Sequence, residues 1–216
     1  MTGVSTAMFK IFKAARARKS RRRFKRVREI AGWTQREQLA YLMRQIESLP
    51  DRSVIVEIGV WRGRSTFAMA EACRRSHKRV YAIDPWEDYQ TQNGLLSTRL
   101  AEFGVDSIEA AYREFMDNRR QLGLERWIEV IRMRSVDAAA AWRGRLCDLV
   151  FIDGNHHYEP VMADLRAWSR HMRPGGLMCG DDWETESVQQ AVKEFVSGNP
   201  KLTLEFPCAN TWAFNV

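Results

Sequence analysis

From residue 53 onward the chain alternates two hydrophobic rhythms. Short runs of β-branched and apolar residues occupy 53–58, 79–83, 127–131, 148–152 and 177–180, and a closing pair lies at 202–206 and 211–215. Runs of that length and composition predict buried strands. Between them, apolar residues recur every three or four positions over 65–76, 95–121 (in two or more segments), 136–142, 159–171 and 186–197, which predicts helices. A further helix precedes the first strand. Thr34 with Glu37 forms a capping box, Leu39, Leu42, Ile46 and Leu49 share one face, and Pro50 ends it. Pro174-Gly175-Gly176 predicts a turn into the fifth strand. Strands alternating with helices give an α/β fold, a mostly parallel sheet with helices on both faces, and the closing pair adds an antiparallel edge. No internal repeat is present.

Composition sharpens this picture at the N-terminus. Lys10, Lys13, Arg16, Arg18, Lys19, Arg21, Arg22, Arg23, Lys25, Arg26 and Arg28 stand in one stretch without an acid, so the net charge of +7 conceals an acidic remainder. The chain divides into a basic arm, residues 1–30, and a domain, residues 31–216. Phe9, Ile11, Phe12, Phe24, Val27 and Ile30 interrupt the basic run. The arm is therefore either a solvated extension or an amphipathic segment for an anionic surface, membrane or nucleic acid, through residues 10–28. No apolar run reaches the roughly 18–20 residues of a membrane span, and the charged N-terminus is unlike a secretory signal. Cys73, Cys147, Cys179 and Cys208 form no CxxC pair, so reduced thiols and no zinc site are expected. A cytoplasmic protein, peripheral at the membrane if the arm binds there, is the expected setting; an oligomer is compatible with the sequence.

Ligands of such sheets sit beyond the carboxyl ends of the strands. The first strand runs into Glu57-x-Gly59-x-x-x-Gly63-x-Ser65-Thr66. Gly59 and Gly63 let backbone approach a ligand, and Ser65 or Thr66 is placed to cap the next helix. The spacing is not the GxGxxG of a pyrophosphate cradle, which argues against a nicotinamide oxidoreductase. It suits a cofactor with a carboxylate, an amine and a nucleoside. The second strand ends in Asp84, an acid positioned to accept ribose hydroxyls.

With Tyr81-Ala82-Ile83-Asp84, Phe151-Ile152-Asp153-Gly154-x-His156-x-Tyr158, Pro174-Gly175-Gly176 and Asp181-Asp182 added, the chain resembles class I methyltransferases over about residues 50–216. The subgroup it is similar to holds metal-dependent macrolide-sugar O-methyltransferases and cephalosporin-hydroxylase-like proteins. The resemblance implies a Rossmann-like seven-stranded sheet of order 3-2-1-4-5-7-6. It implies S-adenosyl-L-methionine bound by Glu57, Gly59, Gly63 and Asp84, with Ser65 near its methionine end and Ser135 near its adenine.

The fourth strand ends in Asp153 and the fifth in Asp181-Asp182. Three unpaired carboxylates at one sheet end repel, and a divalent cation relieves them; an all-oxygen set favours Mg²⁺, Mn²⁺ or Ca²⁺ over zinc. Methyl transfer from a sulfonium needs alignment and a deprotonated nucleophile. His156, matching the family's histidine three residues after the acid, is assigned as general base. Some sugar O-methyltransferases of the group carry a second aspartate where this chain has Asn155, so His156 carries the base assignment alone. Trp86, Tyr89, Tyr158 and Trp183 are candidates for the pocket wall, and residues 85–105 for a lid. The expected reaction is O-methylation of a small hydroxylated substrate, a sugar or natural product. A nucleic-acid methyltransferase recruited by the arm, and a tethered module without turnover, are the alternatives.

Overall fold

A strand buried on both faces has no polar side, and Val54–Ile58 (β1) accordingly places β-branched residues at four of five positions, all buried. In the computed structural model, which describes residues 24–91 and 94–216, six further strands join it. They are Arg79–Ile83 (β2), Ile128–Ile131 (β3), Cys147–Ile152 (β4), Met172–Gly180 (β5), Glu205–Cys208 (β6) and Thr211–Asn215 (β7). The sheet runs β3-β2-β1-β4-β5-β7-β6. The first five strands are parallel, and β7 is antiparallel to β5 and β6. This is the Rossmann-like α/β sheet expected, with the hairpin at its edge.

Strand alternation divides the core into two layers. Ile55 and Phe151 point to one face with Leu39, Leu42 and Ile46 of Arg36–Ser48 (α1), Phe67 of Arg64–Cys73 (α2) and Phe115 of Ile108–Leu122 (α3). Val54, Val56 and Ile58 point to the other, against Ala138 of Ser135–Ala141 (α4), Leu165 and Trp168 of Tyr158–Ser169 (α5) and Val192 of Glu186–Ser197 (α6). Cys73, Cys147 and Cys179 are buried free thiols in this packing.

Three local expectations change. α1 is capped by Gln35, not Thr34: the Gln35 N–H donates to Gln38 Oε1 at 2.7 Å, and Thr34 is buried instead of capping. The Pro174-Gly175-Gly176 turn lies inside β5, because β5 advances from Met172 to Leu177 while β4 advances from Cys147 to Leu149. It is a bulge, with Gly175 at φ +77°, a conformation glycine reaches without strain. A two-stranded antiparallel ribbon, Gln90–Thr91 with Gly94–Leu95, precedes a 3-10 helix, Leu96–Phe103, within the expected lid.

Most of the basic arm lies outside the described residues. Its end does not: residues 24–29 are helical, Val27 is fully buried, and Phe24 and Ile30 pack at the edge of the core. Arg64 fastens this end by donating to the carbonyls of Gly32 and Arg28. Among the described residues no helix is long and apolar enough to cross a membrane.

Candidate active site

The carboxyl ends of β1, β2, β4 and β5 open into a cleft of about 1060 Å³. Gly59 turns the chain out of β1 at φ +82°, and a Cβ there would lie 2.0 Å from the Asp153 carbonyl oxygen, so only glycine lets the two loops pass. Its N–H goes to Ile83 O at 3.0 Å and that of Gly63 to Val60 O at 2.8 Å. The amides left for a ligand are therefore those of the first turn of α2, Arg64 to Thr66, which have no intrahelical partner. Gly63 itself is the N-cap residue, in the left-handed region, so Ser65 and Thr66 do not cap.

Both hydroxyls serve Glu57 instead. Thr66 Oγ1 donates to Glu57 Oε2, and Ser65 also hydrogen-bonds the carboxylate. Glu57 is wholly buried, its Oε1 has no hydrogen-bond partner among the described residues, and burial pushes its pKa up to about 8. An unpaired acceptor of this kind at the head of a glycine turn suits a ligand carrying an ammonium. Asp84 receives N–H bonds from Val60 (2.8 Å) and Trp61 (2.9 Å) on Oδ2 and from Trp86 (2.7 Å) on Oδ1. Each carboxylate oxygen accepts about two such bonds. Oδ2 is thus filled and Oδ1 retains room for one hydroxyl, not for the pair expected of this acid. Burial raises the Asp84 pKa against these donors. Ser135 lines the cleft, but its Oγ accepts Trp168 Nε1 at 2.8 Å and bonds the Asp164 carboxylate. Its hydroxyl is committed to the protein.

At the other end, Asp153, His156 and Asp182 bring one ligand atom each within 4.8 Å of one another. His156 Nε2 lies 2.8 Å from Asp182 Oδ2. Burial alone would lower the His156 pKa, but the hydrogen bond and charge of Asp182, with Asp181 behind it, raise it above its ordinary value. Asp153 is driven well above the carboxylate range by burial and by Asp181, Asp182 and Glu57. Asp182 holds φ +60°, in the left-handed region that few non-glycine residues adopt. Asp181 stands apart from the trio: its Oδ1 accepts Gln38 Nε2 at 2.5 Å and the Asp182 N–H at 2.7 Å. Gln38, fully engaged and 1% exposed, also donates to Thr211 Oγ1 at 3.1 Å. The three predicted acids converge, yet the closest set is two of them with His156.

The aromatic wall differs from expectation. Trp86 is buried against Tyr112 and Phe115, Tyr158 Oη donates to Glu194 at 2.8 Å, and Trp183 packs on Phe206. Of the four, only Trp86 and Tyr89 border the cleft. The exposed wall is Trp33 with Trp61 and Phe103, ring centroids 4.8–6.4 Å apart; Trp33 is 62% exposed. Trp33 lies before the first strongly periodic segment, and no sequence rhythm marks it. Gln38 and Asp164 were legible in principle, as polar residues on the apolar faces of α1 and α5.

A sequence profile described as a methyltransferase domain matches residues 56–183. Curated protein sequences provide no significant match. Among solved structures, the O-methyltransferase NovP superposes with TM-score 0.67 at 16% identity, covering 83% of this chain and 79% of that one. An O-methyltransferase from Bacillus cereus, in complex with S-adenosylhomocysteine, gives 0.61 at 16% identity, covering 90% of each chain. CalS11, a TDP-rhamnose 3'-O-methyltransferase, gives 0.57 at 17% identity, covering 84% and 81%. At these identities the likeness is one of fold.

Proposed function

The chain belongs to the methyltransferase-domain family, and from that premise we propose that it transfers the methyl group of S-adenosylmethionine to a hydroxyl of a small acceptor, assisted by a divalent cation. The observation that carries this reading is the pairing of two sites in one cleft. The glycine turn with Glu57 and Asp84 lies at one end, and Asp153, His156 and Asp182 at the other. A sugar or natural-product hydroxyl is the favoured acceptor, and the acceptor named for CalS11 supports that choice.

S-adenosylmethionine, when bound, supplies a methyl group on a sulfonium that leaves readily. Glu57 Oε1 would hold its ammonium, the free amides of α2 its carboxylate, and Asp84 Oδ1 a ribose hydroxyl. Mg²⁺, when bound, supplies the positive charge that lowers the pKa of a hydroxyl beside it. Asp153 and Asp182 would hold it, with Asp181 completing an oxygen set of the kind Mg²⁺ prefers. The donor set fits: burial and mutual repulsion hold Asp153 and Asp181 above their usual range, and a cation relieves both. His156, oriented through Nε2 by Asp182, takes the acceptor's proton, which requires it to be neutral beforehand.

The test is calorimetric titration with S-adenosylhomocysteine, with and without Mg²⁺, followed by methylation of hydroxylated acceptors. Binding of the nucleoside with metal-dependent methylation is the expected result. Absence of binding under both conditions would overturn the reading.

A further inference from the structure

Strand-end acids alone predict an all-oxygen cation site, but the donor atoms that stand nearest one another include a nitrogen. Asp153, His156 and Asp182 each bring one ligand atom within 4.8 Å of the other two, and His156 Nε2 lies 2.8 Å from Asp182 Oδ2. Asp181 is outside this trio, its Oδ1 held by Gln38 and by the Asp182 N–H. The Asp153 carboxylate accepts no hydrogen bond among the described residues, and the charges acting on it are those of Asp181, Asp182 and Glu57, all acids. The imidazole of His156 is partly open to solvent, so an ion can reach the trio through the cleft. A tetrahedral ion with bonds of about 2.0–2.2 Å sets its ligand atoms roughly 3.3 Å apart. The spacing of the trio, from 2.8 Å to at most 4.8 Å, brackets that value. Mg²⁺ favours oxygen and keeps its waters, whereas an imidazole beside carboxylates suits zinc and its first-row neighbours.

We propose that Asp153, His156 and Asp182 form a site for a first-row transition dication, Zn²⁺ foremost, that competes with Mg²⁺. The two cations share Asp153 and Asp182, and Zn²⁺ takes the His156 imidazole where Mg²⁺ takes Asp181. The inference goes beyond the Mg²⁺ reading above and rests on it only for the competition. Zn²⁺ binds the Nε2 lone pair of the neutral ring, so the proton between His156 and Asp182 leaves to solvent as the bond forms. The nitrogen so occupied is the one assigned to take the acceptor's proton. Zn²⁺ is therefore an antagonist of the Mg²⁺ form, with its fourth position left to water.

The test titrates wild type and His156→Gln with ZnCl₂ and MgCl₂ by calorimetry, singly and in competition. Zn²⁺ is expected to displace Mg²⁺ from the wild type. His156→Gln should lower Zn²⁺ affinity by roughly 100-fold or more, beyond the effect of losing a group behind the ligands, and leave Mg²⁺ affinity near wild type. Thermal melts establish that the variant is folded. A second measurement needs no variant: nitrogen NMR of the histidine rings should show one ring nitrogen entering the metal-bound range with Zn²⁺ and none with Mg²⁺. Equal Zn²⁺ affinity in wild type and folded His156→Gln, or no ring nitrogen in the metal-bound range, would overturn the proposal and leave the Mg²⁺ reading intact. Zn²⁺ binding through His156 without any Mg²⁺ binding would uphold the nitrogen site and overturn the Mg²⁺ reading. Failure of the wild type to bind either cation would overturn both.

Discussion

At the scale of the residue, the burial of Glu57 is a cost to the fold that the proposed cofactor site would account for. Its carboxyl, ordinarily near 4.5, is pushed by burial up to about 8 in the folded chain. Between those values the unfolded state has released a proton that the folded state retains. Stability therefore falls as pH rises, by roughly 1.4 kcal/mol per pH unit for this one group. The contribution is whole below the unfolded value and gone above the folded one. Glu57→Gln should remove that slope, so that the stability difference between wild type and variant changes by about 3 kcal/mol between about pH 5 and pH 7.5 in urea titrations. An unchanged difference would mean that Glu57 is already ionised in the native state. The two ends of the cleft should also separate by mutation. Asp153→Ala is expected to abolish metal-dependent turnover and Mg²⁺ binding while sparing S-adenosylhomocysteine affinity, and Asp84→Ala to do the reverse; calorimetry with each ligand measures both. Equal loss of both ligands in either variant would count against this division. Most of these residues were legible because strand-end acids and glycines keep fixed places in such sheets. Their partners were not. That Gly59 and Gly63 use their amides internally, or that Ser135 faces Trp168, depends on loop geometry that no spacing encodes.

At the scale of the element, the order of strands and helices followed from hydrophobic rhythm because the central strands β1 and β4 are buried on both faces and each long helix turns one apolar stripe to the sheet. The rhythm failed where backbone irregularity mattered: the bulge in β5 reads as a turn, and the ribbon strands Gln90–Thr91 and Gly94–Leu95 are too short to show a repeat. It also gave α1 no role beyond packing. Yet Gln38 ties this helix to Asp181 and, through Thr211, to β7. By occupying Asp181 Oδ1 together with the Asp182 N–H, Gln38 fixes which way that carboxylate turns. If Asp181 completes the cation site, Gln38→Leu should weaken Mg²⁺ binding roughly 10–100-fold, the usual effect of removing a group that orients a ligand. S-adenosylhomocysteine affinity should stay near wild type. A calorimetric metal titration in which Gln38→Leu matches the wild type would leave Gln38 as packing alone.

At the scale of the whole molecule, charge is segregated: a basic arm precedes an otherwise acidic chain whose cleft concentrates carboxylates. Acids lining the cleft repel a polyanion from the reacting end, so the arm is better suited to holding the protein at a surface than to delivering that surface as substrate. The apolar residues interspersed in it, Phe9, Ile11 and Phe12, match a lipid interface better than a phosphate backbone. We propose that residues 10–28 dock an anionic membrane. The place to cut is set by packing, because Phe24 and Val27 join the core and a deletion extending through them would damage the domain. Deleting residues 1–23 removes Lys10, Lys13, Arg16, Arg18, Lys19 and Arg21 to Arg23 and spares that packing. With each basic residue near a charged bilayer contributing about 1 kcal/mol, full-length protein should sediment with phosphatidylserine-containing vesicles at low salt and detach at high salt. The truncated protein should stay in solution at both while binding S-adenosylhomocysteine as before. Binding to duplex nucleic acid but not to vesicles would assign the arm to a polyanion and reopen the choice of acceptor. Retention of vesicle binding after truncation would move the contact onto the domain itself.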